Sequence, residues 1–456
     1  MEGFPRSFGY ILQLGRRFLI VPVLAAVLAV PAVAQSTFGD ILGIVHDQTG
    51  AVLQGAEVTL INIGTTAKHT VVSDAEGNYA FRNVEVGQYQ IKFSAIGFET
   101  ESMPPITITA RETRRIDAEL KPGAASQTVV VIEDAIPVVT TDVSNLAETK
   151  QGDELVNLPV AIFSRSTGST SPISTLTTEA GVQTDDSGNL EVLGTSPALL
   201  SVTIDGISSV GVEYSGPVNE MFPSFNSIEE IRVSESNNNA EFSGVADITT
   251  VSKAGTIHYH GGVFEYDENT VFNANNPFAI SKPRIIMNDF GGTLGGPLRI
   301  PRIITKPDST FFFASFEALR LPRQTPIVLS VPSNDMRNGN LTSYLNGQGV
   351  SAIYEPDGTP LDPSNVPISP IAANVIQHLF PAPNLGDPAS YANNYQINFP
   401  SPISSNQGDI RIDRTLTGRQ SVFARFSYKN RQILTAPSAN CVFTYCAEAG
   451  SPLQGA

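Results

Sequence analysis

The sequence predicts a mostly β protein with more than one domain. Only 16% of its 456 residues are charged, while Gly and Pro contribute 37 and 32 residues. This usage is typical of strands joined by turns rather than of helix bundles. A chain of this length can bury two or three separate hydrophobic cores. The formal net charge of −16 repels phosphate backbones, so we expect no nucleic-acid partner.

Residues 1–34 are predicted to be a signal peptide. Arg16 and Arg17 precede the apolar run Phe18–Val30, and small residues follow it up to Ala34, which is the order of a cleaved export signal. A membrane anchor is the alternative, but the run is shorter than the ~20 residues that a spanning helix needs. We therefore expect export and cleavage near Ala34.

Residues 38–121 are predicted to form a β-sandwich. Six short segments alternate apolar with polar side chains, and turns such as Asp47–Gly50 separate them, which is the pattern of packed antiparallel strands. Two motifs lie within the unit, Gly-x-Val-x-Asp-x-x-Gly from Gly43 and Asp-x-x-Gly-x-Tyr-x-Phe from Asp74. Their order resembles the carboxypeptidase regulatory-like domain. The resemblance implies a transthyretin-like β-sandwich, a fold often grouped with carbohydrate-binding folds.

Residues 122–149 are predicted to be a linker that contains an extended, β-prone run. The run consists of Thr128, Val129, Val130 and Val131. In this position it resembles the TonB box, the peptide of outer-membrane receptors that pairs as an added strand with a TonB-type energy-coupling protein of the inner membrane. Strand addition of this kind depends on main-chain hydrogen bonds, so the side chains need only be extended and mostly apolar. The alternative is a plain edge strand that joins the sandwich to the next domain.

Residues 150–254 carry three motifs among short strands and Gly-rich turns. The motifs are Ile204-Asp205-Gly206, then Ile228-Glu229-x-Ile231-x-Val233, then a Gly-x-x-x-Ile-x-x-x-x-Lys-x-Gly segment that ends in Lys253 and Gly255. In this order they resemble the plug of TonB-dependent receptors, a mixed α/β domain that leads into the barrel. One position departs from that family, because Asp247 stands where a small or apolar residue is usual.

Residues 255–456 are predicted to supply the first strands of an incomplete transmembrane antiparallel β-barrel. Five segments alternate over about ten residues, as tilted membrane strands do. They are His258–Tyr266, Asn288–Leu298, Thr310–Leu319, Gln407–Leu416 and Ser421–Arg431. The spacing of the runs that begin at Asn288, Phe311 and Phe380 resembles the Oar-like branch of TonB-dependent transporters.

The predicted strands differ in how cleanly their faces divide. On the third strand Phe311 and Phe313 share one face, while Phe312 and Phe316 lead us to expect that its two faces are mixed. The fifth strand divides clearly into two faces. Val422, Ala424, Phe426 and Tyr428 lie on one face, and Phe423, Arg425, Ser427 and Lys429 lie on the other.

The connections between the predicted strands suggest an orientation. The short turn 417–420 is expected on the periplasmic side, and the long stretch 320–406 is expected to be an outer loop. Within that loop, Ser369 and Pro370 predict the start of a short helix.

No enzyme, cofactor or metal centre is predicted. The five His residues form no His-Glu-x-x-His motif, and neither a P-loop nor a Gly-x-Ser-x-Gly elbow before a helix is present. His258 and His260 could hold a metal, but a polar strand face is favoured because no third ligand is evident. The acidic segment 185–189 is interpreted as a solvated turn rather than a calcium loop. Cys441 and Cys446 can form a disulfide or stay reduced.

The resemblance implies a TonB-dependent outer-membrane receptor that takes up a large or scarce extracellular substrate, such as a carbohydrate or a siderophore. Its implied partners are a TonB-type protein and outer-membrane lipid. The alternative is a secreted or surface protein that uses the sandwich for carbohydrate binding or adhesion. Because a barrel that holds a plug needs about 22 strands, five predicted strands lead us to expect a fragment of a longer receptor or a truncated product that forms no pore by itself.

Overall fold

A computed structural model describes the parts of the chain on which the fold is built. These are residues 37–123, 128–130, 146–166, 168, 170–185, 189–211, 218, 221–236, 244–275, 277, 281–300, 309–387, 389–417 and 420–435. The predicted signal peptide, Val131 and the two cysteines lie outside them. In the described ranges, no helix is both long and apolar enough to span a membrane.

The first unit is a β-sandwich of short strands. They are β1 (Gly39–Asp47), β2 (Glu57–Asn62), β3 (Lys68–Val72), β4 (Asn78–Val84), β5 (Gly87–Ser94), β6 (Thr100–Ser102), β7 (Ile106–Ile108), β8 (Thr113–Arg115), β9 (Ala118–Leu120) and β10 (Thr128–Val130). One sheet has the order β4-β1-β8, with β9 also on β1. The other has the order β10-β6-β5-β2-β3, with β7 also on β5. The mostly β prediction and the predicted sandwich are confirmed.

Both sandwich sheets bury one face because their strands alternate apolar and polar residues. Ile41, Val45, Ile91 and Phe93 are fully buried in the shared core. Gly43 is required in the first motif, since a Cβ at this position would lie 1.9 Å from the carbonyl oxygen of Ile116.

The second unit, which we call the central domain, combines a sheet with short helices. Its strands are β11 (Leu146–Gln151), β12 (Val182–Thr184), β13 (Leu190–Val192), β14 (Leu200–Ile204), β15 (Ile207–Ser208), β16 (Ile228–Ser236) and β17 (Ala246–Ser252). Its α-helices are α1 (Gly152–Asn157) and α2 (Pro159–Ser166), and 3-10 turns cover Pro172–Thr178, Pro197–Leu199 and Phe225–Ser227. The main sheet has the order β11-β16-β17-β14-β15, in which β14 and β17 are parallel.

The main sheet of the central domain has one apolar and one polar face. Val202, Ile231 and Ile248 belong to the apolar face, which packs into the domain's own core with the helix residue Leu155. The polar face carries alternate residues that are also buried. These residues are Ser201, Thr203, Glu230, Arg232, Asp247 and Thr249.

The third unit is a five-stranded antiparallel meander, which we call the meander sheet. Its strands are β18 (His260–Asn269), β19 (Ile286–Pro297), β20 (Thr310–Leu321), β25 (Ile403–Thr417) and β26 (Gln420–Ile433), in that spatial order. All five predicted strands are present. The first begins two residues later than expected, so His258 precedes it, and the fourth begins four residues earlier.

Aromatic residues lie on both faces of the third predicted strand, as expected from its sequence. Phe311 and Phe313 are buried on one face, whereas Phe312 is half-buried and Phe316 is 51% exposed on the other. Since successive side chains of a strand point to opposite faces, residues 312 and 316 share a face. The continuous aromatic run therefore supplies both faces, which differ in burial.

The long connection between β20 and β25 has structure of its own. It contains β21 (Gln324–Leu329), α3 (Asn334–Arg337), α4 (Thr342–Gly347), β22 (Ile353–Tyr354), β23 (Pro360–Leu361), α5 (Pro370–Leu379) and β24 (Tyr395–Pro400). Strands β21 and β24 pair with each other. The predicted short helix is α5, where Ser369 Oγ accepts a hydrogen bond from the Ala372 N–H at 3.1 Å as an N-cap.

Candidate functional site

The central domain lies against one face of the meander sheet, which we call the inner face. Arg165, near the end of α2, forms an ion pair with Asp289 of β19, with 2.6 Å between Nε and Oδ2, and both side chains are fully buried. The guanidinium lies 4.1 Å from the ring centroid of Phe225 and 4.2 Å from that of Tyr266. Glu317 of β20 is a further buried carboxylate on this face. Sequence reasoning did not single out any of these charged residues.

A second group of charges surrounds Asp205 of the Ile-Asp-Gly motif. Its Oδ2 lies 3.0 Å from Nε of Arg425, and its Oδ1 lies 3.4 Å from Nη1 of Arg411. The same carboxylate accepts hydrogen bonds from the N–H and the hydroxyl of Ser252, each at 2.9 Å. Arg411 also lies over the ring of Phe423, 4.5 Å from its centroid. Asp205 thus joins β14 and β17 of the central domain to β25 and β26.

The local structure of the Ile-Asp-Gly motif explains its three residue types. Asp205 and Gly206 have φ of 50° and 81°, which is the pattern of a type I′ turn between β14 and β15. Asp is one of the few non-glycine residues that enter this region readily, and Gly does so without a steric cost. Ile204 is buried in the core of the central domain. The turn therefore directs the carboxylate towards the meander sheet.

Further polar contacts continue along the same inner face. Asp409 accepts hydrogen bonds from the Ser224 N–H at 3.3 Å and from the Ser427 hydroxyl at 2.6 Å. Gln407 Nε2 donates to the carbonyl of Phe222 at 2.8 Å. These contacts supply partners for backbone groups of Phe222 and Ser224, which would otherwise be buried without one.

The outer face of the meander sheet is apolar and exposed. Its exposed side chains include Val263, Phe290, Leu294, Phe316, Ile410, Ile412, Val422, Phe426 and Tyr428. Because inner and outer residues alternate along each strand, the sheet separates a polar compartment from an apolar surface.

The other two predicted motifs lie in the core of the central domain and at its connection to the meander sheet. Ile228, Ile231 and Val233 are buried in the central core, while Glu229 is exposed. Lys253 N–H donates to the carbonyl of Ser227 at 2.8 Å. Gly255 packs so closely on β20 that a Cβ there would lie 2.3 Å from the carbonyl oxygen of Phe312. These motifs therefore shape the core and the passage into the meander sheet.

The sandwich covers the polar face of the central sheet. Its turn at residues 109–112, which we call the docking turn, provides Arg111, and this residue forms a buried ion pair with Asp247. The Ala110 N–H donates to Glu230 Oε1 at 2.5 Å, and Arg232 Nη1 donates to Thr109 Oγ1 at 3.1 Å. Burial raises the pKa of Glu230 to about 7, and burial also raises the pKa of Asp247 although Arg111 opposes that rise.

The position of Asp247 resolves its departure from the family pattern. Its side chain is fully buried, and a buried carboxylate needs a compensating partner. That partner, Arg111, comes from a different domain more than a hundred residues earlier. The sequence shows that Asp247 departs from the family pattern, but it does not show which cation compensates it.

The predicted coupling run and the histidines are placed away from these charge groups. Thr128–Val130 forms β10, which pairs in parallel with β6 at the edge of the sandwich. His260 Nδ1 lies 3.2 Å from Thr256 Oγ1, and both His258 and His260 are exposed. In the described parts of the chain no three acidic, His or Cys side chains are grouped as a metal site. Asp185 and Asn189 are hydrogen-bonded to each other across their turn.

Two family descriptions and one curated protein match the chain. Residues 40–121 match the carboxypeptidase regulatory-like domain, and residues 251–452 match the outer membrane beta barrel domain. The TonB-dependent transporter Oar of Myxococcus xanthus is 26% identical over 312 residues, which are 64% of this chain and 28% of that protein. The chain is thus homologous to a TonB-dependent transporter, and the matches support an outer-membrane location. It spans about 28% of the length of that relative.

Solved structures give weaker likenesses. The ferric enterobactin receptor of Pseudomonas aeruginosa aligns with 64% of this chain and 34% of its own, at 11% identity and a TM-score of 0.34. The 5-hydroxyisourate hydrolase of Klebsiella pneumoniae aligns with 19% of this chain and 92% of its own, at 19% identity and a TM-score of 0.16. At these scores neither alignment carries an argument about activity.

The substitution Asp205→Asn is expected to destabilise the chain strongly. Asparagine keeps the shape and tolerates the positive φ, but it removes the charge that faces Arg411 and Arg425. We expect the free energy of unfolding, measured by urea titration, to fall by roughly 3 kcal/mol. In the control Asp40→Asn, the lost partner Arg82 is 63% exposed, so the change should be at most about 1 kcal/mol. Equal losses in the two variants would contradict an anchoring role for Asp205.

Proposed function

We propose that the chain is part of a TonB-dependent outer-membrane receptor. In this proposal the meander sheet is a portion of the barrel wall, the central domain is the plug inside the barrel, and the sandwich lies in the periplasm. The observation that carries the proposal is the two-sided meander sheet, which exposes apolar residues on its outer face and binds the central domain through charged residues on its inner face. The homology to the transporter Oar agrees with it.

The lengths of the strands suit a membrane wall. The five strands of the meander sheet have between 10 and 15 residues, and a tilted strand needs about 9–11 to cross the bilayer. The barrel needs more strands than these five, because every backbone group within lipid must be paired. We expect the remaining strands in the part of such a receptor that this chain does not span.

The connections support the orientation. Only two residues separate β25 from β26, whereas 81 residues separate β20 from β25. Outer-membrane barrels have short turns on the periplasmic side and long loops outside. The sandwich lies at the short-turn end, where the Ser421 hydroxyl donates to Glu85 Oε1 at 2.5 Å. These connections support a periplasmic position for the sandwich and an exterior position for the loop that contains α5.

The proposed mechanism is uptake driven by a partner protein. The central domain fills the inner side of the sheet, so a substrate can pass only when that domain moves. The sequence lacks a P-loop, and we propose that a TonB-type protein supplies the force through the segment Thr128–Val131. The substrate is proposed to be a large or scarce molecule such as a carbohydrate or a siderophore, since outer-loop side chains set specificity and carry no general code.

The second candidate is a secreted or surface protein that binds carbohydrate through the sandwich. This candidate is favoured by the transthyretin-like fold of the sandwich, which is often grouped with carbohydrate-binding folds. The two candidates differ in their membrane partition. The receptor should leave the envelope only with detergent and together with outer-membrane markers, because the outer face of the meander sheet is apolar. Release of the longest gene product by buffer alone would favour the second candidate.

A proline substitution tests the coupling segment. Val130→Pro removes a main-chain N–H that strand addition requires. We expect the purified periplasmic domain of the organism's TonB-type protein to bind the wild-type chain and to lose most of that binding with the variant. Val130→Ala is the matched control, because it keeps the N–H and should bind as the wild type does. Equal binding by the proline variant would leave β10 as a plain edge strand.

A further inference from the structure

The sandwich bridges the central domain and the meander sheet. On the side of the central domain, the docking turn reaches the polar face of the main sheet. On the side of the meander sheet, Glu85 accepts a hydrogen bond from the Ser421 hydroxyl. The Ile257 N–H, just before β18, donates to the carbonyl of Gly64 at 3.0 Å. A displacement of the central domain relative to the meander sheet must therefore break one of these two sets of contacts.

The contacts on the side of the central domain are buried and charged. The side chains of Arg111 and Asp247 are 8% and 0% exposed. The Glu230 carboxylate accepts from the Ala110 N–H and, at 3.2 Å, from Gln151 Nε2. Removal of one member of such a group leaves the other without compensation in a water-poor site. This set of contacts is specific and costly to break.

The contacts on the side of the meander sheet are weaker. Glu85 and Ser421 are both exposed, so each can exchange its partner for water at little cost. A cavity of about 120 Å³ lies where the sandwich meets the meander sheet, and its walls include Glu85 of the sandwich and Phe423 of β26. A larger cavity of about 280 Å³ lies where all three units meet, because Asp205 and Ser252 of the central domain also line it. Protein interiors are close-packed, so the first cavity shows that the sandwich and the meander sheet fit together incompletely.

We infer that the sandwich and the central domain form one mechanical unit, which separates from the meander sheet without the two domains leaving each other. Arg111 and Asp247 are the positioning pair of this unit. The inference deepens the proposed function and rests on it in one respect, because it assumes that a TonB-type protein pulls on β10. This strand is hydrogen-bonded to β6 of the sandwich, so the force reaches the central sheet through the docking turn. The sandwich is then the part that transmits the force.

Distances between spin labels test the inference on the full chain in detergent micelles. Cys441 and Cys446 are replaced by Ser, and exposed positions are labelled in pairs. The pair Val72→Cys and Ile207→Cys reports the distance between the sandwich and the central domain. The pair Val72→Cys and Phe426→Cys reports the distance between the sandwich and the meander sheet. As urea rises, the second distance distribution should broaden first, while the first stays narrow until the central domain unfolds. The inference is overturned if the first pair broadens earlier or both broaden together.

Variants of the positioning pair complete the test. Arg111→Ala should lower the urea midpoint at which the sandwich leaves the central domain by about 1 M or more, and the charge-swapped combination of Arg111→Asp with Asp247→Arg should restore part of that loss. Arg82→Ala is the matched control, because Arg82 pairs with Asp40 on the surface of the sandwich and should shift nothing. An unchanged midpoint in Arg111→Ala would refute the role of the pair. No coupling protein or substrate takes part, so failure here is distinct from failure of the proposed transport.

Discussion

The burial of charged side chains between the central domain and the meander sheet is the constraint on which the rest of the structure depends. Arg165 and Asp289 are both removed from water, and buried charges persist only when partners compensate them. Their partners come from different units of the chain. The inner face of the sheet therefore needs the central domain, and the Ile-Asp-Gly turn adopts positive φ angles that bring Asp205 to Arg411 and Arg425.

A contact made of polar groups can also open. The apolar core of the central domain, around Val202, Ile231 and Ile248, is enclosed within that domain. When the domain leaves the inner face in the proposed movement, water can hydrate the charged and hydroxylated side chains of that contact, such as Asp205, Arg411 and Ser427, while Phe225 loses its contact with Tyr266. An apolar contact of similar extent would bind more permanently. The separation of an apolar core from contact faces that contain many polar groups thus agrees with the proposed movement of the central domain.

The sequence predicted the units that follow a regular pattern. Alternation of apolar and polar residues identified the sandwich and the five strands of the meander sheet, because a strand with one buried face imposes a period of two. The same period in Phe311–Phe316 places aromatic residues on both faces of β20. The motif residues Ile204, Asp205 and Gly206 were also found, since turn geometry limits the residue types that can occupy them.

The charged contacts between units were not predictable from the sequence. Arg165 lies in a short helix and Asp289 in a Gly-rich strand, and nothing local distinguishes them from surface charges. The pairing of Asp247 with Arg111 depends on the way two domains pack, which a one-dimensional pattern does not contain. Asp247 nevertheless stands out in the sequence as a departure from the family pattern, and its burial shows that such an exception can mark an interface.

The orientation of β26 provides the most direct test of the account. Single cysteines at positions 422 to 429, on a background without Cys441 and Cys446, can carry spin labels in outer-membrane vesicles that contain the longest product of the gene. Collision with oxygen, which concentrates in lipid, should be frequent at 422, 424, 426 and 428 and rare at 423, 425, 427 and 429. Collision rates without this two-residue period, or with the opposite phase, would contradict the assignment of an outer face to lipid and an inner face to the central domain.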